Sequence, residues 1–221
     1  MRTDELIRLY PRLFHMAADG SWPSIERHGL LSATALVEKW DVSTADARSS
    51  LLDQVRVEST IIEHAAYGSA IVRDQKPIHE ESLSEVLIDM TIPEWLAELN
   101  SRVFFFVQEE RMSTLMNARS YRKDAHTIIT IDTASFVAAH ELDIELCAIN
   151  SGFAQRHSKA ARGRDTFKSI GEYRHPKRDL PRLSAKWDIA ELCIRGGVLD
   201  IADHVTRVDR RRGSELLEQL R

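Results

Sequence analysis

Residues 102–107 read RVFFFV, and this stretch limits the fold more than any other. A strand half-exposed to water alternates apolar and polar residues, because successive side chains point to opposite faces. Val103 to Val107 contain no polar residue, so such a strand must be covered on both sides. IELCAIN (144–150) and DIAELCIRG (188–196) are two more runs of this kind, and HTIITID (126–132) reads as a fourth strand. Helical spacing lies between them, in ERMSTLMNARSY (110–121) and in TASFVAAHE (133–141), with Thr133 as its cap. The expectation is an α+β domain, with central strands flanked by helices.

The first half is consistent with this. Residues 3–10 form a short helix capped by Thr3 and stopped by Pro11, and Leu13–Met16 is a brief strand. SWPSIERHGL carries Ser21 as cap, Pro23 in the first turn and Gly29 at the end, a complete set of helix signals. SATALVEKW and STADARSSLLDQVR are helices, 56–78 is a β-hairpin turning near Tyr67–Gly68, 79–89 is partly helical, and Pro93 opens a helix over 92–100. At the end of the chain, strands at WDIAELCIRGG and DHVTRVD precede a helix at SELLEQLR. The 221 residues fit one domain, with the hairpin 56–78 and a loop at 151–186 as insertions.

Several classes of function are disfavoured. No apolar run reaches membrane-spanning length, and no apolar leader follows the N-terminus. Cys147 and Cys193 sit in apolar runs and read as buried reduced thiols of a cytoplasmic protein. The nine histidines show no paired metal-ligand spacing, so no metal is expected. Neither a Gly-x-Ser-x-Gly elbow nor a phosphate-cradling glycine loop occurs. Charge is uneven: residues 1–100 hold 9 Lys+Arg against 17 Asp+Glu, whereas 155–182 holds 9 basic against 3 acidic residues. That cationic segment reads either as a solvated loop or as a contact for phosphate.

Three stretches together resemble the ADP-ribosyltransferase superfamily, in the order that superfamily uses. LFHMAADGSWPSIERHGLLS (13–32) is similar to its first motif, a strand ending in His followed by a helix of the form Ile-x-x-x-Gly-Leu. RVFFFVQEERMSTLMNA (102–118) is similar to the aromatic strand, Arg and helix start of the DNA-modifying DarT group. DIAELCIRGGVLDIADHVTRV (188–208) resembles that group's closing strands, in which Glu191 takes the place of the catalytic Glu.

The resemblance implies an ADP-ribosyltransferase-like fold, with split mixed or antiparallel sheets, that uses NAD as substrate. It implies Glu191 and Arg111 as catalytic residues. His15, Met16, Gly29, Phe105, Phe106 and Tyr121 would surround the cofactor, with His15 on the ribose and an aromatic ring on the nicotinamide. The basic loop, through Arg162, Arg164 and Arg174, would face a macromolecular acceptor such as DNA or RNA. A toxin or defence effector with an antitoxin partner is the biological setting this implies. An RNA 2′-phosphotransferase-like enzyme and an inactive binding module on the same fold stay open. The strand pattern adds one reason of its own. Alternation puts Ile189, Glu191 and Cys193 on one face, and a carboxylate there is costly to bury unless it is paired or lines a cleft. Glu145, in the similar run IELC, is the competing carboxylate.

Overall fold

The computed structural model describes residues 1–156, 158–174 and 189–221. Eight strands form one sheet. In chain order they are β1 (Arg12–Ala18), β5 (Arg102–Phe106), β6 (Ala125–Asp132), β7 (Ile144–Cys147), β8 (Lys168–Ser169), β9 (Glu191–Arg195), β11 (Val205–Arg212) and β12 (Glu215–Gln219). Their spatial order is β12-β11-β6-β1-β5-β9-β7-β8, and all their pairings are antiparallel. The α+β expectation holds, and the described sheet is antiparallel rather than mixed. Two small ribbons accompany it: β2 (Leu30–Leu31) with β10 (Gly197–Val198), and the hairpin β3 (Thr60–His64) with β4 (Gly68–Val72).

Strand β5 is central, as its composition requires. Phe105 and Val103 enter one core with Leu13, Ile129, Phe136 and Leu192. Phe104 turns to the other side, against Trp95, Cys147, Cys193 and Phe167. Phe105 is fully buried, which contributes about 1.5–3 kcal/mol relative to leaving its ring in water. Helices α1 (Thr3–Leu9), α2 (Trp22–His28) and α8 (Thr133–His140) supply the first layer, together with the short α9 (Ile201–His204). Helix α6 (Ile92–Asn100) covers the second side, α7 (Glu109–Met116) packs on β1 and β5, and α3 (Ala33–Lys39), α4 (Ala45–Leu52) and the hairpin share a satellite core. The remaining helix, α5 (Glu80–Ser84), packs on α6. At α6, Thr91 and Glu94 form a reciprocal cap, which fixes where the helix begins. Both cysteines are buried and free.

Three local expectations change. Arg2 and Asp132, rather than Thr3 and Thr133, occupy the cap positions of α1 and α8. SELLEQLR forms the edge strand β12 instead of a helix. Eight residues are too few for a helix to persist without packing, whereas the turn at Gly213 returns the chain to the open edge of β11. Ile189 lies outside β9 and joins the core on the side opposite Cys193. The expected strand start at Trp187 and the part of the basic loop at 175–186 lie outside the described residues.

Neighbouring strands of the sheet do not pair equally. β1 has seven register pairs with β6 but one with β5, Phe14 with Phe106. The sheet therefore opens between β1 and β5. The β2–β10 ribbon lies beside that opening and depends on close backbone approach. Gly29 has φ +87°, and a Cβ there would lie 2.7 Å from the Leu199 Cα. Gly20 also has positive φ (+79°), but with open space around it. Gly20→Ala should cost about 1–2 kcal/mol from backbone strain alone. Gly29→Ala should cost about 3 kcal/mol or more, because strain and overpacking add. Urea denaturation of the two variants measures the difference, and equal losses would show that the close approach contributes nothing.

Candidate active site

The opening between β1 and β5 leads to a cavity of about 290 Å3. That lies near the lower end of the roughly 300–1,000 Å3 of ligand pockets. His15 stands at the break. Its Nδ1 is 2.8 Å from the carbonyl oxygen of Phe104. A carbonyl only accepts, so Nδ1 carries the proton and Nε2 presents a lone pair. Burial pulls the His15 imidazole down to about 4; the Phe104 carbonyl opposes the shift, and the Arg73 charge adds to it. The ring is neutral at ordinary pH and suited to accept from a hydroxyl or amide.

Glu191 is the first residue of β9, paired with Phe106 on one side and Cys147 on the other. Only 4% of it is exposed. Its Oε2 accepts from the Ser151 backbone N–H at 2.9 Å and the Ser151 hydroxyl at 2.7 Å. Burial pushes the Glu191 carboxyl up to about 7, against the two Ser151 bonds and the charges of Arg111 and Arg162. The rival carboxylate has another role. Glu145 takes a two-pronged bond from the buried Arg102, at 2.5 and 3.1 Å, and this guanidinium also reaches Glu98 and lies 4.2 Å from the Phe167 ring centre. Glu145 is a structural counter-ion. Glu191 lines the cavity.

Of the residues expected around a cofactor, His15, Met16, Gly29, Phe106 and Tyr121 line this one cavity together with Glu191. Phe105 points instead into the core, with its ring 5.1 Å from that of Phe136. Alternation along β5 explains this, since Phe104 and Phe106 share the cavity side. Arg111, on α7, bonds to Gln108 at 3.3 Å and acts on Glu191 through its charge. Arg162 is 2% exposed, and its guanidinium donates to the carbonyls of Asn150, Ser151, Phe153 and Ala160. It braces the loop that holds Ser151, an internal role rather than a contact with an acceptor. Arg164 pairs with Glu94 at the surface, and Arg174 donates to the Gly171 and Tyr173 carbonyls.

The hairpin, expected to be an insertion, supplies polar residues to the same cavity. Arg73 lies beside β1 and donates to the Met16 carbonyl, and its guanidinium sits 5.1 Å from the Tyr121 ring centre. Burial pulls Arg73 down, while Tyr121, Asp74 and Asp124 counter the shift. The Tyr121 hydroxyl donates to Asp74 at 2.6 Å. Arg56 and Gln75 meet at the Asn100 side-chain oxygen, at 2.9 and 3.2 Å. The visible trace of this group in the sequence is the polar run RDQK directly after the apolar strand SAIV.

The chain belongs to a family of unknown function (DUF7002), whose model matches residues 11–205. No curated protein matches the sequence. The family match contains β1, β5 and β9, and therefore His15 and Glu191.

A raised carboxyl has a definite effect on stability. Between 4.5 and about 7 the folded state holds a proton on Glu191 that the unfolded state has released. Folding stability attributable to Glu191 therefore falls as pH rises through that window. Glu191→Gln removes this dependence. Its stability relative to the parent chain should increase from pH 4.5 to 7.5, as followed by urea unfolding at stepped pH. A constant difference across the window would contradict the burial-driven shift.

Proposed function

We propose that this protein is an NAD-dependent ADP-ribosyltransferase with an ADP-ribosyltransferase-like fold. One observation carries the reading: His15 and Glu191, from strands separated only by β5, line a single cavity where the sheet opens. Strand spacing of about 4.8 Å puts their backbones on the order of 10 Å apart, a distance one nucleoside can bridge. The neutral His15 suits a ribose hydroxyl, since its free Nε2 accepts a hydrogen bond. Phe106 and Tyr121 provide rings at the cavity wall for the nicotinamide.

The chemistry follows from these roles. The bond between nicotinamide nitrogen and ribose carbon breaks, and its electron pair leaves with nicotinamide. Positive charge develops on the ribose, as in glycoside cleavage. Ionised Glu191 stabilises that charge and takes the proton of the attacking acceptor group. Arg111 and the Arg162-braced Ser151 favour the ionised form and oppose the cost of burial. An acceptor of nucleic acid suits the cationic segment 155–182, although Arg162, Arg164 and Lys168 of that segment already have protein partners.

NAD at millimolar concentration should raise the melting temperature, because a ligand selective for the native state stabilises it. The scale for a chain of this size is about 2–4 °C per kcal/mol. Labelled NAD incubated with cell lysate, nuclease-treated or untreated, reads transfer and the acceptor class together. Glu191→Gln should keep NAD binding and lose about 10²–10³-fold in rate. Full transfer by Glu191→Gln, or no thermal shift with NAD, would overturn the assignment.

The pH profile gives a separate check. kcat/KM should rise with pH through an apparent value near 7 as Glu191 ionises, while His15 stays neutral down to about 4. Ser151→Ala removes a bond that favours the carboxylate, so its profile should shift to higher pH. An unshifted profile would separate Glu191 from the rate-limiting ionisation.

A further inference from the structure

On the opposite side of the sheet from Phe104 and Trp95, helices α8 and α9 bring three side chains together. His140 is the last residue of α8, Asp200 is the N-cap of α9, and His204 is its last residue. One ligand atom from each lies within 4.8 Å of the other two. His140 Nε2 is 3.0 Å from Asp200 Oδ1, and His204 Nε2 is 3.3 Å from Asp200 Oδ2. Both imidazoles contact the Phe136 ring, with centres 5.1 and 5.6 Å away, and their own planes are 81° apart.

Among the described residues, one buried ring nitrogen of this cluster, His140 Nε2, has no hydrogen-bond partner. The Ser135 hydroxyl donates to the Asp132 carbonyl at 3.3 Å, so its oxygen is left to accept. His204 Nδ1 lies 3.2 Å from that oxygen, and its Nε2 is hydrogen-bonded to Asp200 Oδ2 at 3.3 Å, so each ring nitrogen has one partner. In the tautomer with the proton on Nδ1, the Nε2 lone pair is turned toward Asp200, where a cation would lie between the two. His140 Nε2 is buried and close to the same carboxylate, yet off the line that a hydrogen bond requires. Two imidazole nitrogens converging on one carboxylate in this way are arranged as ligands around a shared positive centre.

We propose that His140, Asp200 and His204 form a binding site for one divalent transition-metal ion of the Zn2+ class. Two imidazoles and a carboxylate are a donor set that such ions favour over Ca2+ or Mg2+. Metal–ligand lengths of about 2.0–2.2 Å give a tetrahedral edge of roughly 3.4 Å. His140 Nε2 and His204 Nε2 lie 3.0 and 3.3 Å from Oδ1 and Oδ2 of Asp200 respectively, so a small turn of the carboxylate brings one oxygen to both. Water completes the coordination on the exposed side of Asp200. Ser135 is an outer partner that keeps the His204 lone pair on the metal. The ion would tie α8 to the segment following β9 and β10. This site is separate from the cavity and does not depend on the transferase reading.

The test uses the full chain, freed of metal with a chelator and titrated with Zn2+ by calorimetry and thermal shift. One saturable equivalent per chain and a rise in melting temperature are expected. Co2+ in place of Zn2+ should give visible absorption bands of a low-symmetry nitrogen–oxygen site. His140→Ala and Asp200→Asn should each weaken binding more than the roughly 10–100-fold typical of losing an outer partner, whereas Ser135→Ala should fall within that range. Circular dichroism confirms folding; His140, half-buried at a helix end, and the nearly isosteric Asp200→Asn avoid the core disturbance of replacing His204. Absence of a one-equivalent event in the parent chain, or unchanged affinity in His140→Ala and Asp200→Asn, would overturn the proposal. In that case the cluster is a polar contact between two imidazoles and a carboxylate that ties α8 to α9.

Discussion

The junction between β1 and β5 determines what the rest of the structure can do. Among the described residues, one register pair and one side-chain bond, from His15 to the Phe104 carbonyl, cross it. A complete ladder would close the sheet and leave no cleft at its centre. A complete separation would expose the apolar faces of both strands. The single imidazole bond allows the strands to part while using one polar group of the exposed strand edge. It also sets the tautomer of His15, and hence the hydrogen-bonding character of the cleft. Structural support and an imidazole acceptor turned away from that carbonyl are thus two consequences of the same bond.

A comparison of two glutamates shows how environment assigns roles to like side chains. Glu145 and Glu191 lie on adjacent strands among apolar neighbours, and each faces a cysteine in the register. Arg102 grips Glu145 in two-pronged geometry, which repays much of the desolvation of both charges. Among the described residues, Glu191 bonds directly to the N–H and hydroxyl of Ser151, with guanidinium charges further off. Those bonds do not offset burial, and the carboxyl titrates near neutrality. A perturbed carboxyl in a cleft is a functional candidate, whereas a well-paired one is usually a brace.

Much of this arrangement was legible in the sequence because it rests on periodicity. The unbroken apolar run of β5 required two covering layers, and both are present. The Ile25–Gly29–Leu30 spacing placed a helix end next to the cavity, where Gly29 permits a backbone approach that no Cβ allows. Alternation alone could have separated Phe106 from Phe105. Tertiary pairing was less accessible. Whether Arg162 faced solvent or four carbonyls depends on tertiary contacts with Asn150, Ser151 and Phe153 and on a local one with Ala160. The hairpin showed no motif, yet its Arg73 and Asp74 reach the cavity by a turn whose direction periodicity does not encode. SELLEQLR has helix-forming composition, but an open sheet edge competed for its backbone and won.

The His140–Asp200–His204 cluster was hidden for a related reason. Its members come from two helices 60 residues apart in sequence, so no short spacing marks them, and Asp200 and His204 alone form an unremarkable i,i+4 pair. Its position nevertheless connects it to the cleft. Asp200 follows Leu199, whose backbone is the close neighbour of Gly29, and Gly29 lines the cavity. Between Glu191 and Asp200 the chain runs through β9, the tight turn at Gly196–Gly197 and the β10 pairing with Leu30–Leu31. A force that fixes Asp200 therefore also fixes the segment packed behind the cavity wall. In a sheet held across its middle by a single register pair, anchoring of that kind restores order that the missing ladder does not supply.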